Sequence, residues 1–245
     1  MTTVKKEKQL RHRIQELFSE DMIDHIREIC NDVNNIDNNM KGDKILFYLK
    51  DKGFVEIGSG TNRIALRHMD YIYKIALDSY GVRDNWNEFN TSVKLQPYVS
   101  KTYECNGYIA VAEYVNLITK QEFADSREGL RSILELLGQD YLFCDMSLEP
   151  KNAMNFGYRD DGSLVILDYG YIYPIDRKIM FCKMCGGKLV WNRNFSMMRC
   201  AKCGREHDPI EIRDRMWKKA ESFKDRSRYD KALNKDGVLE ISFTM

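Results

Sequence analysis

The chain has 245 residues, of which 43% are hydrophobic and 31% charged, with a formal net charge of +1. This length and composition exclude an intrinsically disordered chain and favour one globular core with at most a small appended module. No apolar run approaches the roughly 18 residues of a membrane span, and the charged N-terminus lacks the apolar stretch of a secretory signal. We therefore expect a cytoplasmic protein that does not contact a membrane.

Basic residues are concentrated in the C-terminal third of the chain. Residues 177–231 contain sixteen Lys and Arg against seven Asp and Glu, an excess of nine positive charges. The remainder of the chain carries an excess of eight negative charges. This split predicts a separate basic module after residue 176.

The N-terminal residues 1–53 are predicted to be helical. Apolar residues recur at spacings of three and four over residues 5–35, and Ser19 can cap a second helical segment within that stretch. A further short helix is predicted to begin at Asp43 and to end at Gly53. These helices either pack on the outside of the following sheet or form a docking surface for a protein partner.

A glycine-rich turn joins two predicted strands within residues 54–66. Gly58 and Gly60 would let backbone N–H groups approach phosphates closely, although hairpins use such glycines for other reasons. The alternating run at residues 71–77 predicts a third strand that carries Lys74. A lysine at this position can hold a phosphate as a point charge, or can simply be a solvated strand residue.

Two further strands and a helix complete the first half of the chain. Residues 84–92 are predicted to form the helix, and residues 101–105 and 108–115 form strands around the turn Asn106-Gly107. The first half therefore has five antiparallel strands and one helix after the N-terminal helical segment.

The second half contains a predicted hairpin with polar residues at both ends. Residues 153–158 and 164–167 read as its strands, and residues 160–162, Asp-Asp-Gly, form its turn. Asn152 just before the first strand and Asp168 just after the second are predicted to converge. An amide oxygen and a carboxylate suit Mg²⁺ with a polyphosphate, whereas for the pair alone the simpler interpretation is that they cap strand ends.

The stretch Ser147-Leu-Glu-Pro-Lys-Asn152, followed sixteen residues later by Asp168-Tyr-Gly170, resembles the catalytic loop and D-F-G element of the protein-kinase-like superfamily. The resemblance implies an α+β, kinase-like two-lobed fold. Its five-stranded antiparallel N-lobe would cover residues 54–115, and a truncated C-lobe, beginning with a helix near residues 123–137, would cover residues 116–176.

The same resemblance implies a site for ATP and Mg²⁺, formed by Gly58, Gly60, Lys74, Glu88, Glu113, Val115, Asn152 and Asp168. The glycines would cover the nucleotide, and Lys74 paired with Glu88 would hold the α- and β-phosphates. The two hinge residues would read adenine through the backbone, and the last two residues would hold the magnesium ion.

The chain departs from the superfamily pattern at several positions. Ser147 stands where the catalytic aspartate is expected, and losing that base costs about 10²–10⁴-fold in rate. Asp145 lies two residues earlier and would replace the base only if the loop bulges. Arg63 stands at the third glycine of the loop, and no activation segment follows Gly170. These departures predict a pseudokinase or a weak phosphotransferase acting on a small substrate.

Four of the seven cysteines form two C-x-x-C-G knuckles separated by fourteen residues, at Cys182, Cys185, Cys200 and Cys203. Four thiolates in this spacing match structural zinc, and the alternative of free or disulfide-bonded cysteines is disfavoured by the spacing. Residues 188–192 and 195–199 read as a hairpin between the knuckles. The sequence therefore predicts a zinc ribbon at residues 177–207, with a basic surface that suits nucleic acid or an acidic protein.

Residues 208–220 are predicted to form a basic amphipathic helix, and residues 237–245 are strand-like, within a C-terminal segment of residues 208–245. The N-terminal helices, the ribbon and this tail are the candidate surfaces for a protein partner. Two further hypotheses remain open. In the first, the chain is a structural or scaffolding subunit that loosely resembles compact kinase-like proteins of large bacteriophages, and it would then lie in the host cytoplasm or the virion. In the second, the chain is a nucleic-acid-binding regulator that acts through its ribbon.

Overall fold

The computed structural model describes residues 13–32 and 37–222 of the chain. The chain divides into two compact units, Met1–Val115 and Asn116–Met245. Within the described residues no helix is long and apolar enough to cross a membrane. The predicted strand-like tail at residues 237–245 lies outside the described residues.

The first unit contains a five-stranded antiparallel sheet in the order β1-β2-β3-β5-β4. Its strands are β1 (Val55–Ser59), β2 (Arg63–His68), β3 (Tyr71–Ala76), β4 (Thr102–Cys105) and β5 (Ile109–Glu113). The turn between β4 and β5 contains Gly107, whose φ of 89° lies in the left-handed region that glycine adopts readily. The five strands predicted from the sequence are therefore confirmed.

The described residues of the first unit form four α-helices: α1 (Arg13–Leu17), α2 (Glu20–Asn31), α3 (Asn38–Leu49) and α4 (Ser79–Leu95). Ser19 caps α2 as predicted, because its side chain accepts a hydrogen bond from the Met22 N–H. The prediction that Asp43 caps the next helix is wrong, since Asp37 accepts the Met40 N–H and Asp43 lies inside α3. Helix α4 begins at Ser79, earlier than the predicted residue 84, because Asp78 provides its cap.

The core of the first unit lies between the N-terminal helices and one face of the sheet. Alternate strand residues such as Leu66, Tyr73 and Val111 are fully buried there, together with Phe18 and Ile26 from the helices. Each such side chain contributes about 1.5–3 kcal/mol by burial. Because side chains alternate between the faces of a strand, Lys74 and its neighbours point to the opposite face, where α4 contacts β3, β4 and β5.

The described residues of the second unit form three small sheets, three α-helices and a short 3-10 helix. Its helices are α5 (Lys120–Asp125), α6 (Arg127–Leu137) and α7 (Pro209–Ser222). Its strands are β6 (Asn116–Leu117), β7 (Tyr141–Phe143), β8 (Phe156–Tyr158), β9 (Leu164–Ile166), β10 (Ile172–Pro174), β11 (Leu189–Trp191), β12 (Met198–Cys200) and β13 (Glu206–His207). The antiparallel sheets have the orders β6-β8-β9, β10-β7 and β11-β12-β13.

The predicted hairpin of the second unit is confirmed as β8 and β9, but it is shorter than expected. Residues Pro150–Asn155 form a 3-10 helix, so the first strand begins at Phe156 instead of residue 153. Proline fixes the φ angle that the first turn of such a helix needs. Gly162 in the connecting turn has φ 80°. The predicted helix at residues 123–137 is present as α5 and α6, which are divided at Ser126.

The cysteine-bearing segment shares a hydrophobic core with the rest of the second unit. Buried Leu142 from β7 clusters with Leu189, Met198 and Cys200 from the β11-β12-β13 sheet, and with Ile212 from α7. The predicted hairpin between the knuckles is confirmed by the pairing of β11 with β12. The domain boundaries predicted at residues 176 and 207, on either side of the ribbon, stay a prediction.

Candidate functional site

In the first unit, the buried carboxylate of Glu88 pairs with two basic side chains. Glu88 of α4 is fully buried, and its Oε2 accepts a hydrogen bond from Lys74 Nζ at 2.6 Å. Its Oε1 accepts a hydrogen bond from the Arg63 guanidinium at 2.8 Å. The structure thus brings together the predicted pair and adds an arginine to it.

The strand register explains why Lys74 reaches the helix. Lys74 lies opposite Ala65 on β2 and Ala110 on β5, two small residues on the same face of the sheet. Their small side chains leave space above the sheet for α4 and for the lysine stem. Side chains at directly opposed positions lie on one face, so the short neighbours keep the path to Glu88 open.

Two polar residues one turn earlier on α4 support the ion pair. The fully buried Asn85 donates from Nδ2 to the carbonyl oxygens of Lys74 (3.2 Å) and Gly107 (2.8 Å), and its Oδ1 accepts from Arg63 at 3.3 Å. Burial raises the pKa of Asp84, and the charges of Arg63 and Arg83 oppose that rise. The sequence analysis missed both residues, although polar residues at helix positions 84, 85 and 88 share one face.

The glycine loop, residues 58–62, is hydrogen-bonded to the ends of the neighbouring strands β2 and β3. The Gly60 N–H donates to the Arg63 carbonyl at 2.8 Å, and the Leu77 N–H donates to the Asn62 carbonyl at 2.8 Å. A Cβ at Gly58 would meet no atom within 4 Å. Packing against the described residues therefore does not require glycine at position 58. The space above the backbone at this position is open.

The cluster contains two basic side chains, Lys74 and Arg63, which are only 12% and 10% exposed. Both are paired with Glu88, and the charge of the buried Asp84 also acts on Arg63. Basic side chains of this kind contact phosphate or carboxylate groups in proteins. Arginine adds a planar donor set that lysine lacks.

The predicted adenine-reading residues lie at the end of the sheet. Glu113 is the last residue of β5, and Val115 is buried two residues later. The Glu113 N–H donates to the Lys101 carbonyl at 2.9 Å, and the Tyr114 N–H donates to the Asp70 carbonyl at 3.2 Å. These two N–H groups are thus engaged within the first unit.

In the second unit, Asp145 and Asp168 lie close enough to affect each other. Partial burial raises the pKa of Asp145, and the negative charge of Asp168 raises it further. The Asp145 carbonyl accepts a hydrogen bond from Asn155 Nδ2 at 3.2 Å. Two neighbouring carboxylates that reach solvent are suited to share a divalent cation.

Ser147 is buried and has a structural role in the loop between β7 and the 3-10 helix. Its Oγ accepts hydrogen bonds from Asn152 Nδ2 at 3.0 Å and from the Glu149 N–H at 3.3 Å. The Asn152 amide therefore has its nitrogen engaged, and its Oδ1 is the atom suited to a metal ion. Asp145, the exposed carboxylate beside Asp168, is the better candidate base.

The four predicted cysteine ligands come together in the second unit. The Sγ atoms of Cys182, Cys185, Cys200 and Cys203 all lie within 4.8 Å of one another. The Cys182–Cys203 and Cys185–Cys200 distances between Sγ atoms are 3.9 and 3.4 Å, too long for disulfide bonds. A tetrahedral site with Zn–S bonds of about 2.3 Å has sulfur atoms about 3.8 Å apart, so the cluster fits zinc.

The second knuckle favours the thiolate form of Cys200. Backbone N–H groups of Lys202 and Cys203 both point at Cys200 Sγ from 3.4 Å. The hydrogen bond from the Cys203 N–H is the main cause that lowers the pKa of Cys200 to about 6. Gly187 lets the first knuckle approach, since a Cβ there would lie 2.7 Å from Cys200 Sγ.

No protein-family model matches the chain, and no curated protein matches it. Solved structures that resemble part of it include the bifunctional kinase-methyltransferase WbdD, at 16% identity and a TM-score of 0.29 over 47% of this chain and 31% of that one. WbdD with the kinase inhibitor LY294002 matches at 14% identity and a TM-score of 0.31, over 47% of this chain and 32% of that one.

A third similar structure is APH(2″)-IIa in a ternary complex with streptomycin and ATP. It matches at 12% identity and a TM-score of 0.33, over 62% of this chain and 79% of that one. The chain thus spans about a third of the two WbdD chains and about four-fifths of APH(2″)-IIa.

Proposed function

We propose that the chain is a kinase-like protein that binds ATP with Mg²⁺. The observation that carries the proposal is the buried Glu88 carboxylate shared by Lys74 and Arg63. A buried ion pair contributes little net stability, because desolvating the charges costs about as much as their attraction returns. Lysine and arginine side chains are groups that bind phosphates in proteins, so Lys74 and Arg63 are the proposed contacts of the nucleotide phosphates.

The second unit supplies the groups for the divalent cation in this proposal. Asp168 and Asn152 are the ligands, and Asp145 stands beside Asp168 as a further oxygen donor or as a base. The negative charge of Asp168 raises the pKa of Asp145, and a cation bound between the two carboxylates would offset that repulsion. Hard oxygen ligands of this kind are those that Mg²⁺ prefers.

Phosphotransfer, where it occurs, is proposed to depend on Asp145. The buried Ser147 hydroxyl is engaged by Asn152 and Glu149, and a serine does not take a proton near neutral pH. Asp145→Asn is expected to abolish γ-phosphate transfer while leaving nucleotide binding measurable. If the wild-type protein transfers no γ-phosphate, it is a pseudokinase, and the proposal is then limited to ATP binding.

Thermal unfolding with MgATP tests the nucleotide proposal. A ligand at 100 times its Kd stabilises the folded state by about 2.7 kcal/mol, so a binder shows a concentration-dependent rise in Tm. Lys74→Met is expected to abolish the rise, whereas Lys94→Met, at an exposed position of α4, is expected to keep it. An unchanged wild-type Tm at millimolar MgATP would exclude the proposal.

We also propose that the four cysteines bind one structural zinc ion. The cluster has four thiols for four tetrahedral positions, so no position remains for a substrate or a water. When bound, zinc supplies a cross-link between the two knuckles. A structural metal is expected because the segment is too small to fold around a core of its own.

A nucleic-acid role is a second candidate, favoured by a groove of about 860 Å³ beside the cysteine-bearing sheet. The groove is lined by Arg131, Arg177, Lys188 and Arg193, with Glu135 as an acidic neighbour. Single-stranded RNA or DNA is the proposed occupant. Retention should fall with salt, and Lys188→Glu with Arg193→Glu should remove it, whereas Lys94→Glu should not.

A structural role in an assembly, such as a bacteriophage particle, is the third candidate. Helix α3 exposes Phe47 at 80% and Met40 at 50% of their surfaces, which is unusual for residues of this type. Cytoplasmic or virion location belongs to this proposal. Migration of the chain with a defined particle, lost in Phe47→Asp but kept in Lys94→Met, would support it.

A further inference from the structure

The hairpin turn between β11 and β12, residues 192–196, contacts the loop that carries Asp145; we call this turn the ribbon tip. The Asn194 carbonyl accepts a hydrogen bond from the Leu148 N–H at 2.8 Å. The Asn194 side-chain oxygen accepts from the Arg127 guanidinium at 2.9 Å. The ribbon tip is thus joined to the loop on one side and to the start of α6 on the other.

The conformation of the ribbon tip is closely determined. Asn192 Oδ1 accepts hydrogen bonds from the N–H groups of Asn194 (3.2 Å) and Ser196 (3.1 Å). Phe195 has φ 57°, in the left-handed region, which costs a non-glycine residue backbone strain. Its buried ring offsets that cost by packing against Phe143 and Trp191, at ring-centroid distances of 6.3 and 5.8 Å.

These ring contacts lie next to the start of the same loop. Phe143 is the last residue of β7, and the next residues, 144–152, include Asp145, Ser147 and Asn152. Trp191 stacks on Phe143 with a centroid distance of 5.3 Å and an interplanar angle of 22°. The ribbon tip therefore contacts the loop at its beginning, through Phe143, and at its middle, through Leu148.

The cysteine cluster and the ribbon tip belong to one small sheet. Cys200 ends β12 and pairs with Leu189 of β11, while Met198 pairs with Trp191 at the end nearest the tip. Cys182 and Cys200 are buried in the same core as Leu142 of β7. A cross-link among the cysteines consequently holds the two strands from which the tip projects.

We propose that the ribbon tip positions residues 144–152, and that zinc at the four cysteines keeps the tip in place. Asn194 and Phe195 are positioning residues for the loop. The inference rests on the zinc proposal above but not on nucleotide binding, because it concerns the order of the loop in the protein alone. The cysteine module would thereby support the loop in addition to presenting a basic surface.

Hydrogen exchange of the full zinc-loaded chain, followed by mass spectrometry, tests this inference. Phe195→Gly removes the ring but permits the same φ, and it is expected to speed exchange over residues 144–152 by about tenfold, while zinc content stays unchanged. Val190→Ala is the matched control, since Val190 lies on β11 but is 41% exposed. Zinc chelation is expected to speed exchange both in the cysteine segment and in residues 144–152.

A second variant keeps the test decisive if Phe195→Gly also releases zinc. Arg127→Met removes the hydrogen-bond donor to Asn194 and changes no residue of the cysteine-bearing segment. Loss of one hydrogen bond worth about 1 kcal/mol should speed exchange of the loop about fivefold. Unchanged exchange over residues 144–152 in Arg127→Met, or after chelation, would overturn the inference. Because no nucleotide is present, failure of the ATP proposal would not affect these outcomes.

Discussion

At the scale of single residues, Glu88 is the group on which the first unit's site depends. In the sequence, Arg63 stands where the kinase-like pattern has the third glycine of the loop. In the structure its guanidinium lies 2.8 Å from Glu88, on the carboxylate oxygen that Lys74 does not use. The replacement therefore gives the loop a fixed connection to α4 in place of the freedom that a glycine would provide.

Glu88→Ala is expected to lower the free energy of unfolding by about 3–5 kcal/mol, because it leaves Lys74 and Arg63 in a nearly buried place without their carboxylate. Urea unfolding measures the change. Glu28→Ala is the control, since its contact with His25 is at the surface and should be worth no more than about 1 kcal/mol. Equal effects of the two variants would show that Glu88 does not compensate buried charges of Lys74 and Arg63.

Asp145 gives a pH dependence of definite sign. Burial and the charge of Asp168 raise its folded pKa, so in the absence of metal its contribution to stability falls as pH rises from the ordinary carboxyl range through that raised pKa. Asp145→Asn should therefore be more stable than the wild type at neutral pH. The difference should vanish near about pH 3, where the carboxyl is protonated in both states.

Asp161 provides the control of opposite sign for that experiment. The Ser163 hydrogen bonds lower its pKa, so its contribution is present above the ordinary pKa and is lost as pH falls through the lowered one. Asp161→Asn should be less stable than the wild type at neutral pH. A pH titration of Tm on both variants measures the two signs, and a destabilised Asp145→Asn would contradict the arrangement of Asp145 beside Asp168.

At the scale of elements, the close approach of α4 to the glycine loop depends on Gly81. A Cβ at this position would lie 2.2 Å from the Asn62 carbonyl oxygen and 3.1 Å from the Ala76 Cα. Both are backbone atoms, so α4 would have to move away from the strands. The space around this glycine sets how far Glu88 stands from Arg63.

Gly81→Ala is accordingly expected to cost about 1–3 kcal/mol in unfolding free energy and to weaken any nucleotide binding. Gly129→Ala in α6 is the matched control, because its Cβ would meet only Leu164 Cδ2 at 3.7 Å. That change should stabilise the protein by about 0.5–1 kcal/mol through its helix propensity. A stable Gly81→Ala variant would mean that α4 and the loop do not pack as described.

At the same scale, the two knuckles are proposed to bind one zinc ion, and the metal content of the protein tests this proposal. We expect about one zinc ion per chain from zinc-supplemented expression, measured by mass spectrometry of the metal. Cys200→Ser should lose the ion and lower Tm, whereas Cys105→Ser, whose thiol lies outside the cluster, should retain it. Full zinc content in Cys200→Ser would exclude the four-cysteine site.

At the scale of the whole molecule, the sequence predicted the order and type of most elements. Alternation and turn residues gave the five strands and the hairpin at β8 and β9, since these signals are local. The predicted boundaries were wrong where a nearby residue gave a competing signal. Asp37 and not Asp43 caps α3, and Pro150 begins a 3-10 helix near the predicted start of a strand. Such competition is decided by tertiary packing, which a single sequence does not contain.

The site was predictable where its residues follow one another in recognisable spacing. The cysteine ligands are of this kind, whereas the Lys74–Glu88 pair was implied by the resemblance to the kinase-like superfamily. Both sets of atoms lie together in the structure. The bond of Arg63 to Glu88 and the packing of Phe195 against Phe143 depend on long-range contacts, so spacing along the chain gave no sign of them. The assignments of nucleotide and magnesium ligands stay predictions.

The most direct test of the central claim is a crystal structure with Mg²⁺ and a non-hydrolysable ATP analogue. We expect phosphate oxygens within about 3 Å of Lys74 Nζ, with Glu88 still bound to the lysine, and the metal ion on Asp168. A nucleotide bound away from Lys74, or no nucleotide at millimolar concentration in crystals that hold zinc at the four cysteines, would contradict the account.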